Sequence, residues 1–151
     1  MTQSMDRLFR VQQGGESFYA VERQGELFRA AGDIFTGVSA GQAIRGGLNS
    51  VRIAAPVRPS KIVCVGLNYR SHAAEVKKPL PAEPLLFIKP STAVLDPGGP
   101  IMLPPGVGRV DYEAELAVVI GRRAHRVPAA RAWDYILGVT CVNDGTARGL
   151  E

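Results

Sequence analysis

Residues 111–121 read Asp-Tyr-Glu-Ala-Glu-Leu-Ala-Val-Val-Ile-Gly, or DYEAELAVVIG. In an extended strand successive side chains project to opposite faces. Tyr112, Ala114, Leu116, Val118 and Ile120 then make one wholly apolar face, and Asp111, Glu113, Glu115, Ala117 and Val119 make another that is acidic at its start and apolar further on. The pattern predicts a strand buried on both sides at one end and opening into a cavity at the other, with Glu113 and Glu115 at the mouth. Residues two apart on a strand have Cα atoms roughly 6.5 to 7 Å apart, near enough for both carboxylates to turn onto one ion. Held together in a partly dry site they repel, and a hard divalent cation with oxygen ligands relieves that repulsion. A bare Glu-x-Glu is more often two solvated residues on an exposed strand. Asn143-Asp144, closing another apolar run, supplies a third oxygen ligand and strengthens the metal reading.

The chain has 151 residues, 46% of them hydrophobic and 21% charged, a composition suited to one globular domain with a small appendage. Its formal net charge is +4 and its pI is near 9.4. Nucleic acid is not the expected partner, because Lys and Arg are scattered and aromatic residues, at 7%, offer no stacking platforms among them. The charge favours small anionic molecules or plain solubility. No apolar run reaches the about 18 residues of a membrane-spanning helix, and the polar opening MTQSMDRLFR lacks the apolar stretch of a secretory signal. The expectation is a cytoplasmic protein without membrane attachment. Cys64 and Cys141 lie in apolar runs without metal-binding spacing, which predicts buried free thiols.

Arg7 to Gln12, Ser17 to Arg23 and Glu26 to Arg29 read as strands joined at Gly14-Gly15 and Gln24-Gly25, a small antiparallel meander. Ala31 to Asn49 is rich in Gly, Ala and Ser and predicts one weak helical turn, and Val51 to Pro59 reads as an extended linker. A boundary near residue 57 follows. Lys61 to Gly66 is a continuous apolar run suited to a buried strand, and Asn68 is placed to cap a short helix carrying His72 and Glu75. Three residues apart on a helix, these two can hydrogen-bond, which orients the imidazole and raises its basicity, the form of a general base. An isolated His-x-x-Glu is more often an exposed surface pair. Leu85 to Lys89 reads as a strand with a cation at its end, where Lys89 is either solvated or meets a substrate carboxylate. Ile101 to Leu103 is another short strand, Pro128 opens a helix through Ile136, and Leu137 to Val142 is the strand that delivers Asp144. The fold class is therefore mixed α/β and mostly β.

Four segments follow one another in order: GLNYRSHAAE, FIKPSTAVL, VDYEAELAVVIGR and NDGTAR. Together they resemble the fumarylacetoacetate hydrolase family from about Arg58 to the end, with residues 1–57 resembling the small N-terminal domain of many members. The resemblance implies an incomplete β-roll over 58–151, a homodimer in the full-length form, and Mg²⁺ or Mn²⁺. Residue by residue, Glu113 and Glu115 match the paired glutamate ligands and Asp144 the aspartate ligand. His72 and Glu75 match the pair that positions and activates water, and Lys89 stands in the family's Lys-Pro motif near the substrate.

The chemistry so implied is hydrolysis of a carbon–carbon bond in an acylpyruvate-like β-diketo acid, an anionic 2-oxo acid chelated to the metal, by water that His72 deprotonates. The alternative is decarboxylation or isomerisation of 2-hydroxydienoate diacids in aromatic catabolism, which uses the same enolate without attack by water. Gly145, Gly149 and Glu151 depart from the family pattern, and members continue for many tens of residues that complete the roll. This chain is accordingly expected to be the first part of such an enzyme, and an inactive truncated fragment is the remaining alternative.

Overall fold

A computed structural model describes residues 6–150. The chain opens with β1 (Arg7–Gln13), β2 (Glu16–Arg23), β3 (Glu26–Asp33) and β4 (Gly37–Ala43), each antiparallel to the one before. A 3₁₀ turn (Gly47–Ser50) leads to β5 (Arg52–Ala54), which pairs with the other edge of β1, so the sheet order is β4-β3-β2-β1-β5. The first hairpin turns through Gly14 and Gly15, both at positive φ, the arrangement whose twist matches the strands it joins. Two parts of this sheet differ from the sequence expectation. The Gly/Ala/Ser stretch forms β4, and Gly32, at φ 99°, lets the turn before it close: a Cβ there would lie 2.5 Å from the Gly37 carbonyl oxygen. The supposed linker forms β5, because Arg52–Ala54 finds an open strand edge at Arg10–Gln12.

The buried core belongs to this sheet. Val11, Ala20 and Leu27 cluster on one face, and Phe9, Phe18, Ile44, Leu48 and Val51 pack over them. The segment after β4 is pinned as a cover by the bond from Ile44 N–H to the Leu27 carbonyl at 2.8 Å. Arg10, on the opposite parity, is buried too: its Nε donates to the Ala55 carbonyl at 2.6 Å, and its Nη2 lies 3.6 Å from Asp96. Asp96 also accepts from the Ala55 N–H at 2.9 Å and lies 3.7 Å from Arg52. These bonds tie the start of the chain to its second half. In compactness the residues up to Val57 group with those from Asp96 onward, and Arg58–Leu95 forms a separate unit.

In that separate unit β6 (Lys61–Gly66) and β7 (Leu85–Pro90) make an antiparallel ribbon, joined through α1 (Arg70–Glu75). Asn68 is not the helix cap. Tyr69 holds that position with an extended backbone and no side-chain capping bond, after Leu67 turns the chain at φ 51°. Nor is β6 a buried strand, since Val63 and Val65 are exposed together with Leu86 and Ile88 opposite them.

Further along, β8 (Val110–Asp111) and β9 (Ala114–Ile120) replace the single strand anticipated from Asp111, with a break at Tyr112-Glu113. After a 3₁₀ helix (Ala129–Tyr135), β10 (Ile136–Asn143) pairs with β9, and β11 (Thr146–Ala147) pairs with β8. Ile101–Leu103 forms no strand. The face alternation along β9 is as read from the sequence, but the burial is not. Leu116, Val118 and Ile120 are exposed alongside Val139 and Cys141 of β10, and Tyr112 is 85% exposed. Nothing among the described residues covers that face, so β9 is not buried on both sides and Cys141 is not a buried thiol, while Cys64 is half-buried. Among the described residues no helix is long and apolar enough to cross a membrane.

Candidate active site

The break between β8 and β9 places Glu113 where three residues of the NDGTAR segment meet it. Glu113 N–H donates to Asn143 Oδ1 at 3.0 Å, Asp144 N–H donates to the Glu113 carbonyl at 2.9 Å, and Arg148 Nη2 donates to Glu113 Oε1. Glu115 faces Val142 across the β9–β10 ladder, two residues before Asp144. The backbone thus brings Glu113, Glu115 and Asp144 to one end of the β9–β10 ribbon. All three are half-buried, and Asp144 Oδ1 is shielded from solvent.

Their side chains are not gathered for a metal. Among the described residues no group of three or more His, Cys, Asp or Glu side chains could hold an ion. The donor chemistry suits a hard cation, but the arrangement does not fit one, because the Glu113 carboxylate is turned to Arg148. Arg148 Nε donates to Asp111 Oδ2 at 3.0 Å, and Arg109 pairs with Asp111 through Nε at 2.7 Å and Nη2 at 2.9 Å. Hydrogen bonds from Arg109 and then Arg148 hold the Asp111 carboxyl below its ordinary value of 3.8. Sequence reasoning missed this network. Its signal was present: Arg109 and Asp111 stand two apart on an extended segment, and Arg148 closes the very NDGTAR motif from which Asp144 alone was taken.

His72, Glu75 and Lys89 lie in the Arg58–Leu95 unit. The helical spacing brings His72 Nδ1 to 3.7 Å from Glu75 Oε2, an electrostatic contact longer than a hydrogen bond. His72 is 36% exposed and Glu75 78%. Lys89 is half-buried on β7 opposite Ile62. A groove of about 280 Å³ lies elsewhere, on the N-terminal sheet between Phe18, Arg29 and Arg45, and none of the predicted site residues lines it.

Residues 61–151 match the family model described as fumarylacetoacetate (FAA) hydrolase C-terminal. The chain belongs to the fumarylacetoacetate hydrolase family. A protein of Archaeoglobus fulgidus is 56% identical over 104 residues, covering 69% of this chain and 42% of the relative. Oxaloacetate tautomerase FAHD2A, mitochondrial, of Bos taurus is 45% identical over 104 residues, covering 68% of this chain and 33% of the relative. Among solved structures, 2-hydroxyhepta-2,4-diene-1,7-dioate isomerase from Mycobacterium marinum superposes with a TM-score of 0.82 at 37% identity, covering 96% of this chain and 56% of that one. The mostly β fold read from the sequence is therefore the fold of this family. The chain spans less than half the length of these curated relatives and little more than half that of the solved structure.

Proposed function

We propose that this chain is the first part of an enzyme that moves a proton on a small anionic 2-oxo acid through its enolate, as an isomerase or tautomerase of 2-hydroxydienoate or 2-oxo diacids. The observation that carries the reading is the His72–Glu75 pair. Glu75 lies on the Nδ1 side of the imidazole, which favours the tautomer with its proton on Nδ1 and leaves the Nε2 lone pair to accept a proton. In this reading Nε2 takes the proton from the carbon beside the 2-oxo group, and returning it to a different atom of the enolate completes the shift. The family relatives named as a tautomerase and an isomerase support the choice. Lys89 is proposed to meet the substrate carboxylate.

Hydrolysis of a carbon–carbon bond in an acylpyruvate is the second reading, favoured by the solvent exposure of His72, which leaves the base open to a water molecule. Glu113, Glu115 and Asp144 are proposed as Mg²⁺ or Mn²⁺ ligands, which requires Glu113 to leave Arg148. A homodimer of the full-length form belongs to the same proposal.

The test is a chimera in which this chain replaces the matching part of the M. marinum isomerase. It should isomerise the 2-hydroxydienoate diacid, followed by ultraviolet absorbance, and His72→Ala should lower kcat by about 10²- to 10⁴-fold. A folded chimera as active with alanine at 72 would place the base elsewhere. Acylpyruvate cleavage in place of isomerisation would select the second reading.

A further inference from the structure

The core face of the N-terminal sheet is covered only in part. Gln13, Phe18 and Arg29 share that face with Val11, Ala20 and Leu27, because Val11 pairs with Phe18 and Ala20 with Arg29, and alternate residues of a strand point the same way. Ile44, Leu48 and Val51 cover its apolar end, and Gly46 and Gly47, at φ 84° and 58°, turn the covering segment just after Arg45. What stays open is a groove of about 280 Å³ lined by half-buried Phe18 and by Gln13, Arg29, Gln42 and Arg45. The two arginines are held differently. The Arg29 guanidinium lies over the Phe18 ring, 4.0 Å from its centroid, and donates to Glu16, so its position is fixed and its charge answered. Arg45 is exposed and makes no hydrogen bond or ion pair among the described residues.

From this arrangement we infer that the groove binds a small planar carboxylate, an aromatic or conjugated acid. Its carboxylate pairs with Arg45, the cation with no partner of its own. Its flat body stacks on Arg29, whose guanidinium has one face on Phe18 and keeps the other for a second π system, adding a layer to a stack already built. Glu16 repels an anion from the Arg29 side and so directs the charged end of the ligand to Arg45. Gln13, braced through Nε2 to the Ser50 carbonyl at 3.1 Å, presents a fixed amide oxygen to any hydroxyl the ligand carries. At about 280 Å³ the groove falls just short of the about 300 to 1,000 Å³ of drug-sized sites, which restricts the occupant to a small molecule.

Charge and flatness are separable in the test. Equilibrium dialysis of radiolabelled benzoate against the 151-residue chain should show saturable binding at one site per chain, weakened at least about tenfold in Arg45→Gln. Cyclohexanecarboxylate has the same charge without the flat ring, and it should compete about two- to fivefold less well than unlabelled benzoate. Arg29→Gln removes the stacking platform and should erase that preference. Either variant suffices if the other fails to fold by circular dichroism. Benzoate taken up without saturation, as on any exposed apolar surface, overturns the inference. So does saturable binding that a folded Arg45→Gln leaves unchanged, or equal competition by the flat and the puckered acid.

Discussion

Arg10 shows how one side chain can join two distant parts of a sequence. Its guanidinium is nearly enclosed, donating to the Ala55 carbonyl and facing Asp96. Arg10→Ala should therefore cost about 1.5 to 3 kcal/mol, read from the urea midpoint, and Asp96→Asn should recover part of the bond pattern by still accepting from the Ala55 N–H. Charge on the same sheet also makes one small contribution to stability pH-dependent. The Arg7 guanidinium donates to Glu22 and holds its carboxyl below the ordinary 4.5, with burial opposing more weakly. A carboxyl lowered by folding stabilises the folded state at pH values above 4.5, and that contribution disappears as pH falls through the lowered value. The midpoint difference between the unaltered chain and Glu22→Gln should accordingly be present at pH 7 and shrink below about pH 4.5. At this scale the candidate site was partly legible. The nearness of Glu113 to Glu115 and of His72 to Glu75 could be read from spacing because strand and helix periodicities are local. The turn of Glu113 toward Arg148 could not, since it joins residues 35 apart.

The elements divide into those whose sequence announces them and those that depend on an edge elsewhere. β1, β2, β6, β7 and β10 carry enough apolar or β-branched residues to be read directly, and Gly14-Gly15 and Gln24-Gly25 mark their turns. β4 was hidden by Gly, Ala and Ser, and β5 by flanking prolines; each exists because a neighbouring strand offers unpaired backbone groups. β9 was read in the correct phase and given the wrong surroundings, because alternation specifies faces and says nothing of what covers them. A paired substitution makes the difference measurable. Leu27→Ala, in the sheet core, should cost about 2 to 5 kcal/mol, whereas Leu116→Thr, on the open face of β9, should change stability by less than about 0.5 kcal/mol. A large loss from Leu116→Thr would mean that this face is covered in solution.

Across the whole molecule, burial is lopsided. Among the described residues, seven of the eight buried apolar residues precede Val57, Ala73 being the other, while Leu85, Leu86, Ile88, Leu116, Val118, Ile120, Trp133 and Val139 are all more than 40% exposed. So much apolar surface is uncommon on a monomer, and among the described residues β6–β7 and β9–β10 are two-stranded ribbons whose outer edges pair with no further strand. The 151-residue chain by itself should bind a hydrophobic dye and self-associate on size exclusion, and it should be inactive on acylpyruvates. A monomer without dye binding that cleaves them would show that the visible strands suffice. The same asymmetry also bears on the order of events during synthesis. The hairpins β1–β2, β2–β3 and β3–β4 are each closed by a short turn, and only the return of β5 to β1 spans a longer loop. Local closures come first and fast, and a chain emerging from the ribosome offers its N-terminal part earliest. The five-stranded sheet, with its own core under Ile44, Leu48 and Val51, can thus be complete before β9 leaves the exit tunnel, so that the later strands emerge from a chain whose first part is already folded.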